Sequence, residues 1–138
     1  VSSEVFCDTS FFVALLDPKD NLHLKAVKLS EVLEQIPLCT TYEVLTETLN
    51  YFSRFGADIR KAAAGFTNAI TDHTQYIVIQ LNSTYYQSAI CLYEGRTNKT
   101  YSCTDCISMI VMRERGIRKV ATSDRHFEQE GFEILMVA

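Results

Sequence analysis

The sequence predicts an α/β fold: three layers, α/β/α, with a central parallel β-sheet. Three observations predict it. Short apolar segments alternate with segments of helical period along the whole chain. At 138 residues and 47% hydrophobic, the chain has the length and apolar content of one compact domain, residues 1–138. Only two Pro and five Gly argue against a many-turned β-sandwich.

The elements follow in order. Val5-Phe6-Cys7 is a short buried strand that stops at Asp8, and Thr9-Ser10 opens a helix through Leu16. Asp17-Pro18-Lys19-Asp20 is a turn. Leu22, Ala26, Leu29 and Leu33 share a face of a helix over 22–34, and Pro37 separates it from a strand at Leu38 to Thr40. A helix runs from Tyr42 to Phe55 and stops at Gly56. Asp58 caps the next helix, which reaches Thr71. Tyr76-Ile77-Val78-Ile79 has the composition of a buried strand. Asn82 or Ser83 starts a helix that Gly95 stops, and 96–101 is a polar loop. A helix from Thr104 to Arg115 ends at Gly116. Strands at Lys119 to Thr122 and Phe132 to Val137 close the chain. A parallel sheet covered on both faces places its ligand site beyond the carboxyl ends of the strands, where strand order reverses.

Composition excludes several function classes. The net charge of −4 gives no support for non-specific coating of DNA, whereas an acidic site that acts on nucleic acid through a metal remains compatible with it. The longest apolar-rich run, Phe11 to Leu16, falls far short of the ~20 residues of a membrane helix. The opening Val-Ser-Ser-Glu lacks a signal peptide's basic start, and the odd count of five Cys suits reduced thiols, so a cytoplasmic setting is expected.

The acidic residues carry the chemistry. Asp8 follows the first strand and Asp124 follows the strand ending at Thr122. Asp105 lies in the first turn of its helix, behind a Ser or Thr cap. Each alone has an ordinary explanation as a helix cap or a partner for a helix dipole. Three at one sheet edge repel one another, and a bound cation is the usual reason to keep them. Glu43 and Glu47 are four apart on one helix. Glu47 falls at the border of the apolar arc and Glu43 farther out, so Glu47 is the expected fourth acid. Oxygen ligands select magnesium or manganese, which bind phosphate oxygens and activate water.

The chain resembles the PIN-domain ribonucleases, in particular the single-domain toxins of the VapBC toxin–antitoxin type. Phe6-Cys7-Asp8-Thr9-Ser10 is similar to the family's opening, and Thr41-Tyr42-Glu43-Val44-Leu45-Thr46-Glu47 to its second motif, with Glu47 at the acidic position. Thr104-Asp105-Cys106 and Ala121-Thr122-Ser123-Asp124-Arg125-His126-Phe127 resemble the third and last motifs, and Gly131 to Leu135 fits the close. The resemblance spans essentially the full length. It implies Asp8, Glu47, Asp105 and Asp124 as the catalytic and metal-binding quartet, Mg2+ or Mn2+ as cofactor, and RNA as substrate. It further implies an antitoxin partner, whose amphipathic peptide docks in a neighbouring groove, and a homodimer. Some PIN domains instead process RNA outside toxin–antitoxin systems, and a non-catalytic binding module is a further alternative.

Other features compete. Cys103-x-x-Cys106 suits a redox pair by spacing but straddles an acid, so idle packed thiols are the simpler reading. His23, His73 and His126 are too scattered for a zinc site. Arg113, Arg115, Arg118 and Lys119 are a solvated helix end or an RNA-backbone contact. Arg125 and His126 stand beside Asp124, placed either for a substrate phosphate or for the surface. Thr9, Ser10, Thr104 and Ser123 serve as supports for the ligands or as plain caps. Phe11, Phe12, Tyr51, Phe52 and Phe55 are expected in the core, with a subunit interface as the alternative for some. A haloacid-dehalogenase-type phosphatase needs an acid where Ser10 stands, and a receiver domain needs paired acids after the first strand and a late Lys.

Overall fold

A computed structural model describes residues 2–137. Its elements are β1 (Val5–Cys7), α1 (Thr9–Leu16), α2 (His23–Val32), β2 (Leu38–Thr41), α3 (Tyr42–Phe52), α4 (Ala57–Asp72) and β3 (Tyr76–Ile79). There follow α5 (Ser83–Gly95), α6 (Cys103–Arg115), β4 (Lys119–Ala121), α7 (His126–Gln129) and β5 (Glu133–Ile134). The five strands form one parallel sheet in the order β3-β2-β1-β4-β5.

The chain steps outward from β1 to β3, then crosses back to lay β4 on the other side of β1. Right-handed crossovers therefore place α1 to α4 on one face and α5 with α6 on the other. Contacts agree: α1 packs on α2 and α3, α3 on α4, and α5 on α6. Strand order reverses between β1 and β4. Their register sets Cys7 opposite Ala121, and the Asp8 N–H donates to the Ala121 carbonyl at 3.1 Å. The carboxyl ends of the two strands are thus level, and the residues just beyond them face each other.

Burial explains the order of the layers. β1 is buried throughout, as a central strand covered on both faces must be. Phe12 is wholly enclosed and meets Phe66 of α4 edge-on at 5.3 Å and Tyr76 of β3 at 6.3 Å. α6 buries Cys106, Ile107, Met109, Val111 and Met112. Its left-handed C-terminal residue, Gly116 at φ +69°, lets the chain turn into β4. Glu130, its side chain 5% exposed, accepts from Arg96, Arg113 and the Tyr101 hydroxyl, at 2.9, 2.7 and 2.8 Å. These bonds pin the 96–101 loop to α6 and to the end of α7. They hold the Glu130 carboxyl down to about 2, the Arg96 guanidinium contributing most. No helix among the described residues is long and apolar enough to cross a membrane.

Several elements differ from the sequence expectation. β3 is an edge strand with Ile77 exposed, not a buried one. Its β-branched run reports strand propensity, which edge and centre share. α3 stops at Phe52, because the Ser53 hydroxyl turns back to the Asn50 carbonyl at 2.8 Å. Gly56 at φ +95°, not Asp58, precedes α4, and Asp58 sits in its first turn. α2 is confined to His23–Val32. The last strand shrinks to Glu133–Ile134, although Leu135 and Met136 still donate to Val120 and Thr122. The single-turn helix α7 had no periodic signal to reveal it. Phe11, Phe12 and Phe52 are core, but Tyr51 and Phe55 are 46% and 52% exposed.

Candidate metal centre

Asp8 sits one residue past β1, its backbone extended at φ −101°, ψ 167°. It stands at the N-cap of α1, yet its side chain makes no capping bond. The carboxylate is instead turned inward. Oδ2 accepts from the Thr122 hydroxyl at 2.8 Å, and Oδ1 is buried with no partner. The residue is 4% exposed. Burial, then the charge of Asp105, pushes its carboxyl up to about 7.

Thr122 organises the floor. Its one proton goes to Asp8, so Ser10 donates to the Thr122 oxygen at 2.9 Å, and the Asp124 N–H donates there at 3.1 Å. Ser10 accepts in turn from the Ser123 N–H at 3.1 Å. These bonds lock the residues after β1 to those after β4. Of the four hydroxyl residues expected as supports, Ser10 is used in this way. Thr9 donates to Glu47 Oε1 across to α3.

Asp105 lies in the first turn of α6 in a reciprocal cap: its N–H donates to the Ser102 hydroxyl at 3.0 Å, and its Oδ2 accepts from the Ser102 N–H at 3.1 Å. The capping alternative is therefore realised, and Oδ1 is left over. Burial also raises this carboxyl, and the charges of Asp124 and Glu47 add to it. Asp124 Oδ1 accepts from the His126 N–H at 2.9 Å, a local turn at the mouth of the site.

The four acids meet. Asp8, Glu47, Asp105 and Asp124 line one open cavity of about 420 Å³ at the carboxyl edge of the sheet. Asp20 lines it as well, a fifth acid that the sequence offered as a turn residue or helix cap and whose Oδ1 accepts from the Leu22 N–H at 2.8 Å. Glu43 points elsewhere, into a separate hollow with Gln80 and Leu81. No Lys or Arg among the described residues lines the acidic cavity. The orphaned Asp8 oxygen, aimed among like charges with no cation supplied by the protein, fits a hard divalent ion.

His126 was missed as a member of this group. Its Nδ1 lies 3.1 Å from Asp124 Oδ1 and 3.7 Å from Asp105 Oδ2. The three donor atoms all fall within 4.8 Å of one another, so this imidazole is not scattered from the acids. The spacing Asp124-x-His126 was the available signal. Three of the arginines singled out in the sequence pair with glutamates outside the cavity. Arg113 binds Glu130, Arg115 binds Glu4 at 2.9 Å, and Arg125 binds Glu128 at 2.7 Å. All five Cys are free thiols, and burial pushes Cys106 up to about 11, away from the thiolate character of a reactive cysteine.

Comparisons with known proteins place the fold. The model of the PIN domain family matches residues 5–133. The crystal structure of Mycobacterium tuberculosis VapC20, a sarcin-ricin loop cleaving toxin, is similar with a TM-score of 0.82 and 31% identity, over 93% of this chain and 95% of that one. FitAcB from Neisseria gonorrhoeae shares the fold at a TM-score of 0.64 and 14% identity, over 95% and 96%. No curated protein sequence matches significantly.

Proposed function

The chain belongs to the PIN-domain family, and on that premise we propose that it is a metal-dependent endoribonuclease and the toxin of a toxin–antitoxin pair, acting as one domain. The observation that carries this reading is the convergence of Asp8, Glu47, Asp105 and Asp124 on one cavity around an unpartnered buried oxygen. The likeness to a sarcin-ricin loop cleaving toxin supports RNA as the substrate class.

Asp8 Oδ1, Asp105 and Asp124 would hold Mg2+ or Mn2+, with Glu47 lining the same cavity. Such an ion, when bound, polarises a phosphodiester and makes its water a nucleophile near neutral pH. Thr122 fixes the Asp8 carboxylate so that Oδ1 faces inward. Glu47, its Oε1 held by Thr9, keeps Oε2 to accept the attacking water's proton. The test is cleavage of a structured RNA by the purified protein. Cleavage should appear with Mn2+ or Mg2+ and vanish with chelator, while a small phosphate ester is not turned over. Ester turnover without RNA cleavage would overturn the assignment.

The partner reading rests on a second hollow of about 320 Å³ lined by Leu16, Phe52, Phe55, Ile59, Ala62 and Ala63. Its apolar wall suits the nonpolar face of an antitoxin helix. Copurification with the neighbouring gene's product, with loss of cleavage in the complex, is the expected result. An unrelated neighbour and an uninhibited enzyme would instead favour RNA processing. The cytoplasmic setting and homodimer complete the proposal, the latter tested by light scattering.

A further inference from the structure

We propose that His126 supplies a nitrogen ligand to the cation gathered by Asp105 and Asp124, so that the centre prefers Mn2+ to Mg2+. This rests on the metal-centre reading above and narrows it.

Three observations support it. First, the ring is held at its far side. Nε2 lies 2.9 Å from the Thr100 hydroxyl, and the Tyr101 ring packs against the imidazole at 5.2 Å. Tyr101 is itself fixed through Glu130, so the loop carrying both residues is braced. A ligating imidazole takes the tautomer that donates from Nε2 to the Thr100 hydroxyl, which turns its Nδ1 lone pair inward, the arrangement by which such a ring is usually oriented. Second, Nδ1 is buried with no hydrogen-bond partner, although two carboxylate oxygens lie at 3.1 and 3.7 Å. A nitrogen set beside two anionic oxygens calls for positive charge between them, and a shared cation supplies it as a proton on Nδ1 would. Around an octahedral ion with bonds near ~2.1 Å, neighbouring donors sit roughly 3 Å apart, which these distances approach. Third, and independently, Asp8 lines the adjoining cavity with its own buried, unpartnered Oδ1.

The donor set decides the metal. Mg2+ takes oxygen donors and gives up water reluctantly, whereas imidazole suits transition metals. Mn2+ accepts both carboxylate and imidazole, so His126 raises its affinity without a matching gain for Mg2+.

The test loads purified wild-type protein and His126→Gln with Mn2+ alone and reads the bound ion by pulsed electron paramagnetic resonance. Nitrogen modulation from a directly bonded imidazole is expected in the wild type and absent in the variant. Mn2+ affinity should fall about tenfold or more, with Mg2+ affinity nearly unchanged. Should His126→Gln fail to fold, Thr100→Val keeps the imidazole but frees its far side, and a weaker Mn2+ affinity is expected. Bound Mn2+ without nitrogen modulation would make His126 an ion-pair partner of Asp124 only, and would overturn this inference while leaving the nuclease reading intact. A wild-type protein that binds no Mn2+ overturns both.

Discussion

Asp8→Asn is expected to lose RNA cleavage by about 10³-fold or more, roughly 4 kcal/mol in the barrier, while remaining folded. The amide keeps the shape of the carboxyl group, and its oxygen still accepts from Thr122, but it brings no charge to the inward-facing position. The same change should stabilise the metal-free protein at pH 8. There the parent holds a charged carboxylate in a buried place beside Asp105. Burial raises its folded-state value from 3.8 to about 7. The folded protein therefore takes up a proton, as pH falls through about 7, that the unfolded chain takes up only near 4. Metal-free stability gains from Asp8 on acidification across that window and loses it again as pH rises through 7, with an upper limit of about 4 kcal/mol. Thermal melts of parent and variant should thus differ most at pH 8, draw together as pH falls below 7, and converge only near pH 4. A variant that cleaves RNA at the parent rate would remove Asp8 from the mechanism. Metal binding should show the opposite pH trend, strengthening as pH rises to about 7 and levelling off above it, since the ion displaces that proton.

Phe12→Ala carries the largest expected cost in stability. Its ring is fully enclosed and packs against Phe11, Phe66 and Tyr76. A loss of about 3–5 kcal/mol follows. For a chain of this size that lowers Tm by roughly 10–20 °C, as calorimetry would show. Phe12→Leu should recover most of it. A melt unchanged in Phe12→Ala would mean that α1 does not dock on the sheet as described. Because Asp8 stands at the N-cap of α1 and Thr9 and Ser10 form its first turn, partial undocking also weakens the acidic site before the fold is lost.

The layered parallel fold was legible because alternation of period is a property of each segment taken alone. Asp8 and Asp124 were legible for a related reason: both follow strands, and a parallel sheet delivers every strand's end to one edge. Glu47 over Glu43 followed from helical geometry, and the structure sends Glu43 to a different hollow. What stayed hidden depends on contacts between distant segments. Nothing local says that Tyr76 to Ile79 lies at the sheet edge. That position depends on the crossover from β3 back to β4. The bracing of the 96–101 loop by Glu130, and the resulting position of His126, join residues thirty or so apart through side chains alone. The exposure of Tyr51 and Phe55 was missed because α3 ends early and Phe52 alone turns inward.

Anomalous diffraction from a crystal soaked in Mn2+ tests the shared-ion arrangement most directly. The expected map places manganese bonded to Asp8 Oδ1 and to oxygens of Asp105 and Asp124, within reach of Glu47. A saturated crystal with that cavity empty, or with manganese elsewhere and Asp8 Oδ1 still unliganded, would contradict it.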